Sequence, residues 1–486
     1  MKNKYRYFLS AVLVCGISTA VAQNLNSAYF MDGYTYGHQM NPAHGYSHKG
    51  YVSFPMLGNT NIGVQGNLHL GDLIMQRNGK TVTYLHPDVS YDEAMDGFSK
   101  RNKMVSDVRL NILSVGFSTK KAFHTIDLGV RSFAGFNVPK DFFEMTKALQ
   151  NKDYDVSDLG VRAMAWVELG YGYSRDLKAV EGLRVGGKAK LLFGGGYANF
   201  TGKNLSLKLS GKDKWTATAD ASLDIAAKGI TWGEPKQVKR TDANGTEYYE
   251  EQIDFENVDV KNPGLGGVGM AFDLGAEWDM QEMLPGLKVS AALLDLGFIK
   301  WADQIHAENV SKTFEFNGFH NVKTFDNQGS GESLGDQADR LGDDIEDLYA
   351  LRSGESKGKA TALGATLNLA AEYKMPFYDK LSVGLLSTTR IQGVYSWNEE
   401  KLIATISPIK QIDVAGSVGV GTMGARLGFA LNIHPKAFNL FVGTDCNIGK
   451  IKMTKQYVPQ HSRFNIVAGI NFPFGYTDKT KDKYRR

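Results

Sequence analysis

Cysteine, net charge and long apolar runs are all scarce in this sequence of 486 residues. Its two cysteines are Cys15 and Cys446, and its formal net charge is only +3. No stretch after the N-terminal leader approaches 18 consecutive apolar residues, which excludes a transmembrane helix. The lack of a basic excess argues against a nucleic-acid partner, because binding to phosphates requires many Lys and Arg side chains.

The N-terminal leader has the pattern of an export signal. Three basic residues near the start precede a short apolar stretch over residues 8–17. We predict that residues 1–22 are a signal peptide cleaved between Ala22 and Gln23. The leader carries three of the 55 basic residues and none of the 52 acidic ones, so the mature chain has no formal net charge. Cys446 is then its single cysteine, and no intrachain disulfide is possible.

Alternation of apolar and polar side chains is the main pattern of the mature chain. It extends over residues 161–173, 365–374 and 381–395, with apolar residues at odd positions. This period predicts strands with one apolar and one polar face. The runs reach about ten residues, which suits a tilted strand that crosses a bilayer, whereas soluble strands average roughly five or six. Because lipid leaves no sheet edge unpaired, we predict an all-β fold, a transmembrane antiparallel β-barrel.

The strand count and the connections define the predicted domains. We expect about fourteen strands, with a range of 12 to 16, over residues 59–474, and a basic periplasmic tail at 475–486. Short turns at one rim and long loops at the other are typical of outer-membrane barrels, so we place both termini in the periplasm. The predicted crossings are 59–69, 106–117, 122–134, 160–174, 181–197, 268–279, 286–299, 360–374, 380–396, 399–407, 411–420, 423–433, 437–446 and 463–474. The predicted long loops lie near 70–105, 135–159, 198–267, 300–359 and 447–462.

An aromatic segment precedes the first predicted strand. Residues 28–43 read AYFMDGYTYGHQMNPA, and Asn41-Pro42 is a turn signal. The segment starts on the periplasmic side, yet it is too rich in tyrosine and phenylalanine to lie free in water. We therefore predict residues 23–58 to be a hatch that packs into the barrel mouth or lumen.

A family resemblance supports this prediction. This stretch, with GYVSFPMLGNTNIGVQGNL (50–68) and LLDLGFIKW (293–301), resembles an uncharacterised family of Bacteroidota outer-membrane barrels, a domain of unknown function. More remotely, the chain is similar to FadL-like long-chain fatty-acid channels, in which an N-terminal hatch contains Asn-Pro-Ala. Asn41, Pro42 and Ala43 match that tripeptide. The resemblance implies an outer-membrane protein in contact with lipid, a plugged lumen and passage of a small hydrophobic solute.

The end of the last predicted strand suggests a partner in assembly. Residues 469–474 have the form Gly-x-x-aromatic-x-aromatic and are similar to the terminal signal that barrel-assembly machinery reads. Twelve further residues follow, five of them basic, and this departs from barrels that end in phenylalanine. The resemblance implies the barrel-assembly machinery as a partner.

Motifs that occur in enzymes lack their usual surroundings in this chain. Gly-x-Ser-x-Gly occurs at 331–335 and at 354–358, both within one polar, acidic loop, whereas a nucleophile elbow needs an entering strand and a leaving helix. The dinucleotide pattern at 264–269 is followed by an alternating strand rather than by a helix. We therefore predict no enzymatic activity and no cofactor.

Two long loops contain segments with helical signals. Apolar residues recur at helical spacing over 334–348, surrounded by aspartates and glutamates, and this predicts an amphipathic helix over the barrel mouth. The acidic residues lack the spacing of a calcium-binding loop. A second short helix is predicted over 139–150, with Pro139 near its start.

His38, His44 and His48 lie within eleven residues, a density that could hold a transition metal. No cysteine or ordered set of carboxylates completes such a site. We therefore interpret the three histidines as polar hatch or rim residues and predict no metal site.

Charged residues on the polar faces of the predicted strands are expected to face the lumen, because ionisable groups at membrane depth need a wet or paired interior. The pattern leaves open a stabilising ionic network or a solute path. It predicts a gated channel for a small solute or, alternatively, a structural or secretion-associated barrel that binds other envelope proteins through its long loops. The predicted lumen residues are Arg162, Glu168, Arg184, Lys188, Lys190, Asp273, Glu277, Glu372, Arg390, Arg426, Asp445 and Arg463.

Overall fold

The structure is a computed structural model. It describes residues 25–45, 48–68, 70–209, 214–228, 230–232, 236–241, 247–252, 258–260, 264–302, 304–309, 312–316, 318, 337, 348, 351–353, 359–447 and 464–476. The predicted signal peptide, with Ala22 and Gln23, lies outside these residues, as do both Gly-x-Ser-x-Gly motifs and most of the tail. Of the helix predicted over 334–348, only residues 337 and 348 are described.

Strands make up most of the described chain. In chain order they are β1 (His48–Ser53), β2 (Thr60–Gly66), β3 (Ile74–Arg77), β4 (Lys80–Thr83), β5 (Arg101–Ser118), β6 (Phe123–Pro139), β7 (Tyr154–Asp155), β8 (Gly160–Asp176), β9 (Leu183–Lys208), β10 (Trp215–Ala226), β11 (Ile230–Trp232), β12 (Lys236–Thr241), β13 (Glu247–Gln252), β14 (Val258–Val260), β15 (Gly267–Asp279), β16 (Leu287–Trp301), β17 (Gln304–Glu308), β18 (Lys312–Phe316), β19 (Arg352–Ser353), β20 (Ala360–Ala362), β21 (Ala365–Lys374), β22 (Leu381–Ile391), β23 (Trp397–Ile409), β24 (Ile412–Gly421), β25 (Gly424–Ile433), β26 (Asn439–Asn447) and β27 (Phe464–Tyr476).

Fourteen strands close into an antiparallel barrel. β1 and β2 together form the first wall strand, because both pair with β5 on one side and with β27 on the other. The wall then runs β5, β6, β8, β9, β15, β16 and β21 to β27 in order, and β27 closes it. The predicted fold class and count of fourteen are confirmed.

The first wall strand begins earlier than predicted. Residues 48–53, which the sequence pattern assigned to the hatch, pair as β1 with β27 and β5. Pro55 lacks a backbone N–H, and Met56 has a φ of 65°, so the strand is interrupted before β2 resumes it. The proline made the upstream strand look like a separate segment.

The wall is taller on the long-loop side than the sequence indicated. β9 has 26 residues, and residues 184–201 pair with β8 on one side. On its other side, residues 183–194 pair with β15 and residues 197–208 pair with β10. β10 also pairs with β17 and β18, so a small sheet extends beyond the barrel. The predicted loop near 198–267 therefore contains regular strands where it is described.

Helices are few and short among the residues that the structure describes. The continuous described α-helices are Leu70–Leu73, Tyr91–Asp96 and Lys140–Lys147, and the 3-10 helices are Asn26–Ala28, Thr35–Gln39 and Gly393–Tyr395. Gln337 and Leu348 are helical as well. Pro139 is the N-cap of Lys140–Lys147, so the helix predicted over 139–150 is confirmed. Among the described residues, no helix combines the length and the apolar character needed to cross a bilayer.

The alternation seen in the sequence gives the wall an exposed apolar face. Leu385 of β22 and Leu402 of β23 are cross-strand partners, and they are 53% and 49% exposed. Their chain neighbours Leu386 and Lys401 are almost completely buried. Large apolar side chains facing outward on adjacent strands are what hydrocarbon contact requires.

Candidate functional site

The site consists of an aromatic segment that contacts many barrel strands. We call residues 25–45 the N-terminal segment. Its two 3-10 helices, Asn26–Ala28 and Thr35–Gln39, fold it compactly, and Tyr36 and Met40 are almost fully buried. Burial of its aromatic side chains stabilises this packed position, since each large aromatic side chain buries roughly 150–250 Å² of surface.

One side of the N-terminal segment packs on an apolar part of the wall. This part is contributed by seven consecutive strands, β21 to β27. The ring of Tyr34 meets that of Phe441 edge to face, with centroids 5.0 Å apart. The apolar wall residues in this cluster are Ala370, Leu386, Ile403, Ala415, Ala430, Phe441 and Val467.

The other side of the N-terminal segment is polar and contacts different strands. His38 Nε2 lies 3.4 Å from Asp127 Oδ2 of β6. His44 Nε2 lies 3.4 Å from Glu277 Oε2 of β15, and Asn41 Nδ2 donates to the carbonyl of Ala276 at 3.2 Å. The N-terminal segment therefore contacts the apolar cluster of β21 to β27 on one side and charged side chains of β6 and β15 on the other.

Glycines in the wall allow the segment to approach the backbone closely. A Cβ added to Gly275 would overlap Asn41 Oδ1 and Pro42, and one added to Gly186 would overlap the Pro42 carbonyl. The Asn41-Pro42-Ala43 turn therefore rests directly on the backbones of β9 and β15. Asn41 Oδ1 also accepts the Ala43 N–H at 2.9 Å, the turn chemistry that the sequence indicated.

Burial changes the titration of two groups in the N-terminal segment. Desolvation lowers the pKa of His44, although the neighbouring Glu277 acts in the opposite direction. Desolvation also raises the pKa of Tyr29 to about 12, and its hydroxyl lies 3.0 Å from Ser290 Oγ. Both rings are in contact, with centroids 4.8 Å apart. Burial therefore favours the neutral form of both side chains in the packed segment.

A buried ionic cluster lies beside the N-terminal segment. The guanidinium of Arg131 is 2.7 Å from Asp295 Oδ1 and 3.2 Å from Glu168 Oε2. Lys190 Nζ is 2.7 Å from the same Asp295 oxygen and 2.6 Å from Asp273 Oδ2. These groups come from β6, β8, β9, β15 and β16. Their mutual pairing compensates for the cost of removing each charge from water.

A backbone irregularity positions the central carboxylate of this cluster. Asp295 has a φ of 59°, and the pairing of β15 with β16 shifts register at this point. Its N–H donates to Asp273 Oδ1 at 2.7 Å. A bulge turns a side chain away from its regular direction, so Asp295 reaches Arg131 although its neighbours in sequence are leucines.

A second ionic cluster lies next to the start of the N-terminal segment. Lys401 Nζ is 2.8 Å from Asp445 Oδ1 and 3.5 Å from Glu399 Oε2. Arg426 Nη1 is 3.4 Å from Glu399 Oε1. Ser27 Oγ donates to Asp445 and lies 2.7 Å from Ser417 Oγ. The segment is therefore joined to β24 and β26 by polar contacts as well as by apolar packing.

A polar cavity of about 60 Å³ lies on the long-loop side of the N-terminal segment. That volume accommodates a few water-sized groups. Its described lining includes four arginines and three aspartates, so the lining carries one excess positive charge. These charged residues are Arg109, Arg131, Arg390, Arg426, Asp107, Asp295 and Asp445.

Comparisons with known proteins place the chain in a family. Residues 42–445 match the model described as Family of unknown function (DUF5723). The chain belongs to this family. No curated protein matches it.

Several solved structures resemble this DUF5723 member at low sequence identity. The Pseudomonas putida toluene transporter TodX is 8% identical, with 94% of this chain and 96% of TodX covered and a TM-score of 0.38. The Ralstonia pickettii toluene transporter TbuX is 9% identical, with 93% and 99% covered and a TM-score of 0.38. A Pseudomonas aeruginosa FadL homologue is 11% identical, with 94% and 97% covered and a TM-score of 0.39.

The predicted lumen residues differ in burial and in their contacts. Arg184 is half-buried near the short-turn rim, where it pairs with Asp176. Arg162 donates to Asn199 Oδ1 at 2.8 Å. Arg463 lies outside the described residues. Glu277 and Glu372 are half-buried and lie within 4 Å of Lys288. The buried members are Glu168, Lys188, Lys190, Asp273, Arg390, Arg426 and Asp445.

Several central residues were absent from the prediction. Asp127 and Arg131 lie on β6 at the same parity as the other buried residues of that strand, so the alternation signal could have found them. Glu399 and Lys401 were missed because Glu400 between them is also charged. With three charged residues in a row, the alternation does not show which side of the strand faces the interior. Asp295 carries no alternation signal because of its bulge.

The other candidate motifs lie apart from this site. Gly267 within the 264–269 pattern begins β15. His38 and His44 contact different carboxylates, and the side chain of His48 is not described. Within the part of the chain that the structure describes, no three or more His, Cys, Asp or Glu side chains are grouped to hold a metal.

Proposed function

We propose that this protein is an outer-membrane channel for a small solute and that its N-terminal segment is the gate. The observation that carries the proposal is the buried position of that segment between the apolar cluster of β21 to β27 and the charged side chains of β6 and β15. The exposed leucines of β22 and β23 support a location in lipid, since a water-exposed wall would not repeat such residues on adjacent strands.

The contacts of the segment are non-covalent and therefore permit its withdrawal. Polar contacts to Asp127, Glu277 and Asp445 can be exchanged for water, whereas a disulfide could not. Withdrawal would uncover the apolar wall residues of β21 to β27, a surface that favours a solute with hydrophobic character. This is the solute class that the sequence resemblance implied.

A reversible covalent lock tests the gate. Ser27 Oγ and Ser417 Oγ are 2.7 Å apart, so a Ser27→Cys and Ser417→Cys pair, in a Cys446→Ser background, should form a disulfide on oxidation. Liposomes containing the oxidised protein should be impermeable to small solutes. Reduction should restore the flux of the parent barrel. Ser27→Cys alone is the matched control and should not respond to oxidation.

Deletion of residues 25–45 is a second test of the gate, measured as solute flux in the same liposomes. Flux should rise well above that of the full chain, because the main obstruction of the lumen is gone. Equal flux in the locked, reduced and truncated proteins would contradict the gate. An impermeable truncated barrel would contradict the channel itself.

The second candidate is a scaffold that binds envelope proteins through its loops. It is favoured by a compact apolar cluster among the long loops, in which Phe98 and Phe143 stack at 3.9 Å. The sheet of β9, β10, β17 and β18 also extends beyond the barrel. Stoichiometric co-purification with envelope proteins, together with an impermeable truncated barrel, would favour this candidate.

A further inference from the structure

We infer that the polar cavity above the N-terminal segment binds a small carboxylate and that Arg109 is its principal binding residue. The inference names the chemical class of ligand that the long-loop end of the proposed channel recognises. Its relevance to transport rests on the proposed function. Arg109 belongs to β5 and lines the cavity.

The neighbours of Arg109 in the sheet carry no negative charge. Its partner in β6 is Arg131, and its partner in β2 is Asn61. Two arginines directly opposite each other repel, and such pairs are unfavourable in a sheet unless an anion compensates for them. Arg131 has its own carboxylates in Asp295 and Glu168. Among the described residues, no carboxylate forms an ion pair with Arg109.

The contacts of Arg109 leave most of its donors unused. Among the described residues its side chain donates only to Gln39 Oε1, at 3.3 Å. The nearest carboxylate along its own strand is Asp107, which lies 3.7 Å from Arg131 and 3.6 Å from Arg390 instead. A half-buried guanidinium without a carboxylate presents a planar fork of N–H donors to the cavity.

Two further donors of the cavity lining lack partners within the described structure. Asn26 Nδ2 and Thr388 Oγ1 are both buried, and neither makes a hydrogen bond there. Leaving a buried donor unsatisfied costs about 1–3 kcal/mol, so a ligand or water is expected to accept from it. A carboxylate has two acceptor oxygens, enough to accept from Arg109 and from one of these donors together.

The size and charge of the cavity restrict the ligand. About 60 Å³ is enough for a carboxylate with a short carbon skeleton while the segment stays in place. The single excess positive charge of the lining favours a monoanion. A neutral amide of the same shape would place its NH₂ group against the guanidinium and lose the charge-assisted bonds.

Ligand binding is measured on the purified full-length barrel in detergent, with the gate untouched. Acetate and acetamide are added separately, and binding is followed by saturation-transfer difference NMR in phosphate-free buffer. Acetate should give a saturable signal, and acetamide should give none. Arg109→Gln should weaken acetate binding at least tenfold, and Arg109→Lys should retain part of it. Arg77→Gln, in the β3–β4 hairpin, is the matched control and should bind as the parent does.

Three results would overturn the inference. They are equal binding of acetate and acetamide, unchanged acetate binding in Arg109→Gln, and octanoate binding that is tighter than acetate and independent of Arg109. The comparison of acetate with acetamide uses the parent protein and does not depend on whether a variant folds. Acetate binding without any solute flux in liposomes would contradict the channel and leave the carboxylate site standing.

Discussion

Arg131 and Asp295 form a buried ion pair of 2.7 Å, although β6 and β16 are separated by three other wall strands. Such a pair can only span the interior of the barrel. Lys190 and Arg390 approach the same carboxylate, so Asp295 is the centre at which four wall strands meet. The cluster thereby connects distant parts of the wall and narrows the space beside the N-terminal segment.

Removing the central charge should destabilise the barrel strongly. Asp295→Asn keeps the shape and tolerates the positive φ, but it leaves Arg131 and Lys190 incompletely compensated. We expect the free energy of unfolding to fall by about 3–5 kcal/mol, measured by urea denaturation in detergent or lipid.

An exposed pair provides the control for Asp295→Asn. Lys214 and Glu315 are 2.8 Å apart, and both are roughly half exposed, so Glu315→Gln should cost about 0–1 kcal/mol. Similar losses in the two variants would mean that the buried cluster contributes no more than a surface ion pair.

Gly275→Ala should loosen the N-terminal segment, our proposed gate. The added Cβ would overlap Asn41 Oδ1 and Pro42, which must move away from β15. We expect a loss of about 1–3 kcal/mol in the free energy of unfolding and a higher solute flux in liposomes. Gly416→Ala is the matched control, because a Cβ at Gly416 meets nothing within 4 Å. Unchanged flux in Gly275→Ala would show that contact with the Asn41-Pro42 turn does not hold the gate.

Acidification should favour withdrawal of the N-terminal segment. Desolvation lowers the pKa of His44 in the packed segment, whereas a withdrawn histidine titrates near 6.5. The withdrawn state therefore takes up the proton first. The stabilisation is complete above about pH 6.5 and is lost as the pH falls toward the lowered pKa.

Solute flux measured between pH 7.5 and pH 5 tests the His44 prediction. Flux through the parent should rise on acidification, and His44→Gln should flatten that profile. His86→Gln alters a histidine in an exposed loop and should leave the profile unchanged. A parallel rise in parent and His44→Gln would assign the pH response to another group.

The sequence predicted the wall better than its interior. Alternation identifies outward residues such as Leu385, because lipid contact requires an apolar side chain at every second position of a strand. The position of Asp295 depends on a β-bulge, which changes the direction of its side chain. The alternation of odd and even positions does not predict such a change. The fit of Asn41 against Gly275 joins residues far apart in sequence. The sequence around Asn41 predicts a turn, but it does not show that this turn packs against Gly275.

Leu385 tests whether the outer face of the wall contacts hydrocarbon. It lies near the middle of β22, is 53% exposed and opposes Leu402. Arginine at the midplane of a bilayer costs roughly 2–4 kcal/mol, so Leu385→Arg should lower the free energy of unfolding in lipid by about that amount. Leu385→Met should be nearly neutral. Because water would accept an arginine readily, a neutral Leu385→Arg would place this face in water and contradict the membrane location on which the channel depends.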